Sequence, residues 1–185
     1  MIDVNDLRKG THFELDGELY RVMEYQHHKP GRGNAIIRTK LRNLRSGATF
    51  EKTFTSGDRV QDIRVENIEM QYLYHDDNLY YFMDTNTFDQ RAIDVKLLDD
   101  AVNFMTDSVS VVIQDHDGEA LGVELPTAVD LKVVQADMAV RGDTATGANK
   151  YVTLETGYRV QVPLFVNEGD TVRIDTRTGG YLTRV

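Results

Sequence analysis

Hydrophobic and polar residues alternate with a period of two along most of the chain, and Gly, Asp, Asn and Pro break the alternation at short intervals. That pattern predicts short strands joined by turns. Residues 13–20 read as strand, turn and strand around Asp16-Gly17, a dipeptide suited to a hairpin whose central residues need positive φ. Residues 35–44 form the next predicted strand, with Arg38, Lys40 and Arg42 on one face and Ile37, Thr39 and Leu41 on the other. Residues 49–55 follow, then a turn at Ser56-Gly57-Asp58. Strands are also expected at 70–74 and 79–83 around a turn at 75–78, and at 109–113 and 120–125 around Asp115-His116-Asp117-Gly118. Beyond a strand at 129–134, residues 151–154 and 159–165 flank Glu155-Thr156-Gly157. Residues 171–174 and 181–183 then flank Arg177-Thr178-Gly179-Gly180. Residues 99–105 read as a short helix, with Asp99 and Asp100 at the end where the helix dipole favours negative charge.

Two shifts in pattern divide the chain. From Val65 the composition turns aromatic and acidic, and Pro126-Thr127 interrupts the alternation again. The segments are 1–64, 65–127 and 128–185, each the size of a small barrel. Barrels of roughly 60 residues bury a limited core, so the three are expected to support one another at their junctions.

Charge sharpens this division. The formal net charge is −9, yet residues 1–64 hold 12 Lys/Arg against 9 Asp/Glu, residues 65–127 hold 2 against 14, and residues 128–185 hold 7 of each. A cationic end suits contact with nucleic acid, and an acidic middle is repelled from it. Residues 25–50 contain no Asp or Glu and include His27-His28-Lys29-Pro30-Gly31-Arg32-Gly33-Asn34. Pro30 fixes its own φ, and Gly31 and Gly33 allow positive φ in a narrow hairpin tip. Arg32 then stands alone with five donors and a permanent charge. RNA is the first partner such a projection suggests.

Several chemistries are excluded or disfavoured. Without cysteine there are no disulfides, thiolate zinc sites or cysteine nucleophiles. His12, His27, His28, His75 and His116 have no metal or triad spacing, and His75 and His116 read as exposed turn residues. Asp76-Asp77, Asp99-Asp100 and Asp115 with Asp117 read as solvated turn carboxylates, since none fits the twelve-residue calcium loop. Gly31-Arg32-Gly33 lacks the phosphate-loop sequence. The first six residues do not resemble a secretory signal, and no apolar run approaches the ~20 residues needed to cross a bilayer. The expectation is a cytoplasmic protein that is not an enzyme and holds no metal or cofactor.

A series of motifs runs through the chain: Lys29-Pro30-Gly31-Arg32-Gly33, Asp62-Ile63, Met70-Gln71-Tyr72-Leu73-Tyr74 and Val140-Arg141-Gly142-Asp143-Thr144. It continues in Lys150-Tyr151-Val152-Thr153-Leu154-Glu155-Thr156-Gly157, in Val160-Gln161-Val162-Pro163-Leu164-Phe165-Val166 with Gly169, and in Val172-Arg173-Ile174-Asp175-Thr176-Arg177-Thr178-Gly179. In the order and spacing of these motifs the chain resembles bacterial elongation factor P along its whole length. The resemblance implies an all-β chain of three small barrels, an SH3-like (KOW-type) domain and two OB-type domains, in an L shape that mimics tRNA. It implies a monomeric factor that binds the 70S ribosome between the peptidyl and exit sites and relieves stalling at consecutive prolines. Its partners are then rRNA, ribosomal proteins and peptidyl-tRNA, including prolyl-tRNA.

By the same resemblance, Arg32 sits at the CCA end of peptidyl-tRNA in a loop of Lys29, Pro30, Gly31, Gly33 and Asn34. Arg38, Lys40 and Arg42 hold RNA backbone nearby. Gly142, Asp143 and Thr144 face the small subunit near the exit-site codon, and Tyr181 and Arg184 lie toward the anticodon arm. Many members carry a modified lysine at the tip, and others a rhamnosylated arginine in a Ser-Gly-Arg-Asn loop. This chain has Pro-Gly-Arg-Gly-Asn, which leaves Arg32 as a candidate modification site and an arginine-modifying enzyme as a candidate partner. The related hypusine-containing factor is disfavoured because it needs a tip lysine. Two alternatives stay open: an elongation-factor-P-like paralogue, and a general single-stranded nucleic-acid-binding OB protein.

Overall fold

The computed structural model describes residues 1–107, 109–138 and 148–185. The described residues form sixteen strands in three antiparallel sheets. The first sheet contains β1 (Ile2–Asp3), β2 (His12–Leu15), β3 (Glu18–His28), β4 (Ile36–Asn43), β5 (Thr49–Thr55) and β6 (Arg59–Asp62), in the order β1-β6-β2-β3-β4-β5. The second contains β7 (Glu66–His75), β8 (Leu79–Asp84), β9 (Gln90–Asp94), β10 (Ser110–His116) and β11 (Glu119–Glu124), in the order β11-β10-β7-β8-β9. The third contains β12 (Ala128–Ala136), β13 (Asn149–Leu154), β14 (Arg159–Pro163), β15 (Thr171–Asp175) and β16 (Tyr181–Arg184), in the order β14-β13-β12-β15-β16. The outer strands β14 and β16 approach each other, as a sheet curling toward a barrel requires.

The expected turns form where their residues allow positive φ. Asp16 and Gly17 take φ of 54° and 80°, and Asp117 and Gly118 take 49° and 85°, so both dipeptides close two-residue hairpins. Residues 99–105 depart from expectation. Asp99–Phe104 is a 3-10 helix with no side-chain cap, and Asp99 itself has φ 49°. Six residues are too few to offset α-helix nucleation, and burial of Phe104 fixes the segment instead.

The described chain separates into two compact units, Met1–Asn67 with Gln114–Gly122, and Ile68–Ile113 with Val123–Val185. In the first unit, Val4, Leu7, Phe13, Val22, Ile37, Leu41, Phe54 and Val60 form the core. Phe13 meets Phe54 edge to face at 6.4 Å and Tyr20 at 5.9 Å. Leu19, Leu44 and Leu121 make a second cluster with Ile63 and Val65 packed against it. His116 is held there too, its Nδ1 2.7 Å from the carbonyl of Arg64, and Asp115 is 5% exposed and accepts from the amide of Gly118. Asp115 is therefore buried and His116 half-buried, unlike the solvated turn residues expected from sequence, while the turn itself at Asp117 and Gly118 stays exposed.

In the second unit, Leu131, Val152, Leu154, Val166, Val172 and Ile174 are fully buried, and Phe104 joins their cluster. Thr156 Oγ1 donates to the carbonyl of Asn103 at 2.7 Å. His75 is exposed, as the sequence suggested, but it ends β7 rather than lying in the turn, with its ring stacked 4.8 Å from Tyr80 and its Nδ1 2.7 Å from Tyr72 Oη. Among the described residues no helix is long and apolar enough to cross a membrane.

Candidate nucleic-acid interface

Strands β3 and β4 pair from Tyr20↔Asn43 to His28↔Ile36, and β5 supports β4 from Arg42↔Thr49 to Ile36↔Thr55. The seven residues beyond the last pair, 29–35, form the tip. Alternation along β4 buries Ile37, Thr39 and Leu41 and leaves Arg38 and Lys40 exposed and Arg42 half-buried. Thr39 satisfies its buried hydroxyl by donating to the carbonyl of Lys52 at 2.9 Å. The cationic face and the core face of β4 are therefore one consequence of strand pleating.

Lys29, Gly31, Arg32, Gly33 and Asn34 are exposed, and Pro30 is half-buried. Arg32 makes no hydrogen bond or ion pair with the described residues. The two glycines differ. Gly33 has φ 110°, a conformation that L side chains rarely adopt. Gly31 lies outside the left-handed region, and open space surrounds the position of a Cβ there. One left-handed residue is enough to turn a seven-residue loop.

The face below the tip is less uniformly cationic than the acid-free run suggests. Register places Lys40 between Glu24 on β3 and Glu51 on β5, and Lys40 Nζ lies 3.4 Å from Glu24 Oε1. Both glutamates lie just outside residues 25–50, so strand pairing returns what the linear sequence set apart. Arg38 pairs with Gln26 and Thr53 instead and has no ion pair among the described residues. Lys52 lies 5.6 Å over the ring of Phe54. Charge on this surface is compensated at its base and uncompensated toward its tip, where His27, His28, Lys29, Arg32 and Arg38 gather. Sequence reasoning missed the two glutamates, and hairpin register was the signal that could have found them.

Three models of the elongation factor P family match the chain: "Elongation factor P (EF-P) KOW-like domain" at residues 3–60, "Elongation factor P (EF-P) OB domain" at 65–123, and "Elongation factor P, C-terminal" at 129–184. The chain belongs to the elongation factor P family. Elongation factor P of Moorella thermoacetica is 50% identical over 184 residues, and that of Pelotomaculum thermopropionicum 49% over 185, each alignment covering 100% of both chains. The fold is also similar to a solved structure, Eukaryotic translation initiation factor 5A from Methanococcus jannaschii. That match has a TM-score of 0.51 at 17% identity and covers 68% of this chain and 90% of the other. The chain is thus a translation factor built from KOW-like and OB domains.

The other candidate residues lie in the third segment of the chain. Tyr181 pairs with Ile174 and packs half-buried against the third sheet's core. The guanidinium of Arg184 lies 5.2 Å over the ring of Phe165, with Nη1 3.5 Å from Asp170 Oδ2. Tyr151 is likewise covered by Arg159 at 5.5 Å. The expected loop residues Gly142, Asp143 and Thr144 lie outside the described residues.

Proposed function

We propose that this chain enters the 70S ribosome between the peptidyl and exit sites and stimulates peptide-bond formation at consecutive prolines. Arg32 acts at the CCA end of peptidyl-tRNA, prolyl-tRNA included. Residues 1–64 serve as the tip-bearing domain, 65–127 as the acidic OB domain and 128–185 as the C-terminal OB domain. The factor works as a cytoplasmic monomer, without a cofactor, metal or catalytic group of its own.

The observation that carries this reading is the uncompensated, exposed Arg32 at the end of a sheet-supported hairpin in a chain of this family. Prolyl substrates orient poorly, and holding the acceptor end in attack geometry lowers an entropic barrier without acid, base or nucleophile. A guanidinium suits the task because it donates in a fixed fork to phosphate and sugar oxygens, contacts that position without reading sequence. Lys29 adds charge at the tip, Gly33 gives the loop its turn, and Pro30, Gly31 and Asn34 complete it. Arg38 and Arg42, with Lys40 shared between RNA and Glu24, hold backbone below the tip, so binding weakens as salt rises. Tyr181 and Arg184 face the anticodon arm, and Gly142, Asp143 and Thr144 the exit-site codon. Arg32 works as the bare side chain, without help from an arginine-modifying enzyme.

The test is synthesis of a Pro-Pro-Pro peptide in a reconstituted translation system. Arg32→Ala is expected to lower the maximal rate by ~10- to 100-fold while leaving ribosome affinity within about threefold, because one phosphate-class contact among several is lost. Full rescue by Arg32→Ala would refute the assignment. The intact mass of the native protein tests the bare side chain: a mass above that of the sequence would overturn it.

A further inference from the structure

The base of the β3–β4 hairpin is tied to the end of the β10–β11 hairpin by one arginine. Arg45, just past β4, donates from Nε to Glu119 Oε1 at 3.0 Å and from Nη2 to Glu119 Oε2 at 3.1 Å. Its Nη1 donates to the carbonyl of Gly17, in the β2–β3 turn, at 2.9 Å. The Arg45 backbone is itself fixed, its amide donating to Asn43 Oδ1 at 2.9 Å while Asn43 Nδ2 donates to Glu18 Oε2 at 3.0 Å. Beneath this polar group, Leu19, Leu44 and Leu121 are buried, and the amide of Leu44 donates to the carbonyl of Leu19 at 2.9 Å. A bidentate pair fixes direction as well as distance, which a single point contact does not.

We propose that Glu119 is a positioning residue for the Arg32 loop: its clamp on Arg45 stops the β3–β4 hairpin from rocking against the β10–β11 hairpin. The proposal rests on the role given to Arg32 above. Its physical basis is leverage. The eight residues of β4 carry the chain about 25 Å from the clamp to Ile36 at ~3.4 Å per residue. Rocking by ~5° at the base moves that end by ~2 Å, and a misplacement of ~1 Å can cost on the order of 100-fold in a reaction that depends on alignment. The leucines beneath resist separation of the two hairpins but are non-directional, so they leave the angle to the ion pair. Arg45 and Glu119 side chains are 46% and 41% exposed. Exposed pairs of this kind add little to stability, so removing the clamp leaves the fold intact.

The experiment compares wild type, Glu119→Gln, Arg32→Ala and the swapped pair Arg45→Glu with Glu119→Arg. Pro-Pro-Pro synthesis is titrated with factor to separate maximal rate from half-saturating concentration. Glu119→Gln is expected to lower the maximal rate about tenfold with the half-saturating concentration and thermal midpoint nearly unchanged, and the swapped pair is expected to recover part of the rate. Because the chain has no cysteine, spin labels at Lys29→Cys and Asp117→Cys report the tip-to-hairpin distance directly. That distribution is expected to broaden by ~2 Å in Glu119→Gln, as the leverage at the tip requires. An unchanged distribution with a wild-type maximal rate, while Arg32→Ala loses activity, would overturn the role of Glu119 alone. Full activity of Arg32→Ala would overturn the tip assignment, and this proposal with it.

Discussion

His12 should make the first unit sensitive to mild acid. It begins β2 opposite Arg21, is 8% exposed, and its Nε2 is buried without a hydrogen-bond partner. Burial, with the Arg21 charge adding to it, lowers its pKa from 6.5 to about 4. The unfolded chain therefore takes up this proton near pH 6.5, while the folded chain resists until about 4. Stability from the neutral ring is fully present above 6.5 and is lost as pH falls through that window. Linkage across it, at ~1.4 kcal/mol per pH unit, sets a ceiling of about 3 kcal/mol, of which about 2 kcal/mol is gone by pH 5.

The perturbation is a shift from pH 7.5 to 5 in wild type and His12→Leu. Urea unfolding is followed by NMR through the amides of Val22, Ile37 and Leu41, which report this core alone. Subtracting the variant removes the carboxylates common to both. The wild-type minus variant stability should fall by about 2 kcal/mol between the two pH values, and the His12 ring should titrate near 4. A His12 pKa above 6, or a difference that stays within ~0.5 kcal/mol, would refute the reasoning.

Other predictions concern the tip and the cores. Gly33→Val should cost about 1–2 kcal/mol locally because Gly33 holds φ 110°, visible as altered tip chemical shifts and slower Pro-Pro-Pro synthesis, whereas Gly31→Ala should leave both unchanged. Phe13→Ala should destabilise the first unit by ~3–5 kcal/mol in the same urea series, since Phe13 is fully buried among Phe54, Ile37 and Leu41. Gly179→Ala should lower the second unit's thermal midpoint, because Gly179 has φ 73°, its added Cβ would meet Tyr158 Oη, and Tyr158 donates to the Gly179 carbonyl at 3.0 Å. Asp175, hydrogen-bonded by Arg177, has its carboxyl lowered to about 2. Its stabilising effect should persist above pH 4 and disappear only as pH falls through about 2, a titration that carboxyl NMR shifts would follow.

Elements set by neighbouring residues were legible in the sequence. The period of two in 35–44 sets Ile37, Thr39 and Leu41 on one face and Arg38, Lys40 and Arg42 on the other, because pleating alone alternates the faces, and the first face is the buried one. Asp16-Gly17 announced its hairpin because few other dipeptides take positive φ at low cost, and the turn expected over residues 115–118 closes on Asp117 and Gly118 for the same reason. The exposed Arg32 loop was legible for the same local reason, Pro and Gly around a residue with no apolar surface to bury.

Tertiary structure decided whatever depends on residues far apart in the chain. Strand order brought β6 between β1 and β2, Lys40 between Glu24 and Glu51, and Arg45 onto Glu119, 74 positions away. It also turned His116 and Asp115 from expected solvent-facing residues into packed ones, and a short helix into a 3-10 turn around Phe104. Turns and pleats are fixed by backbone sterics within a few residues, so sequence alone determines them. Which charges end up compensated depends on strand register, and register follows from burying one face of every strand at once.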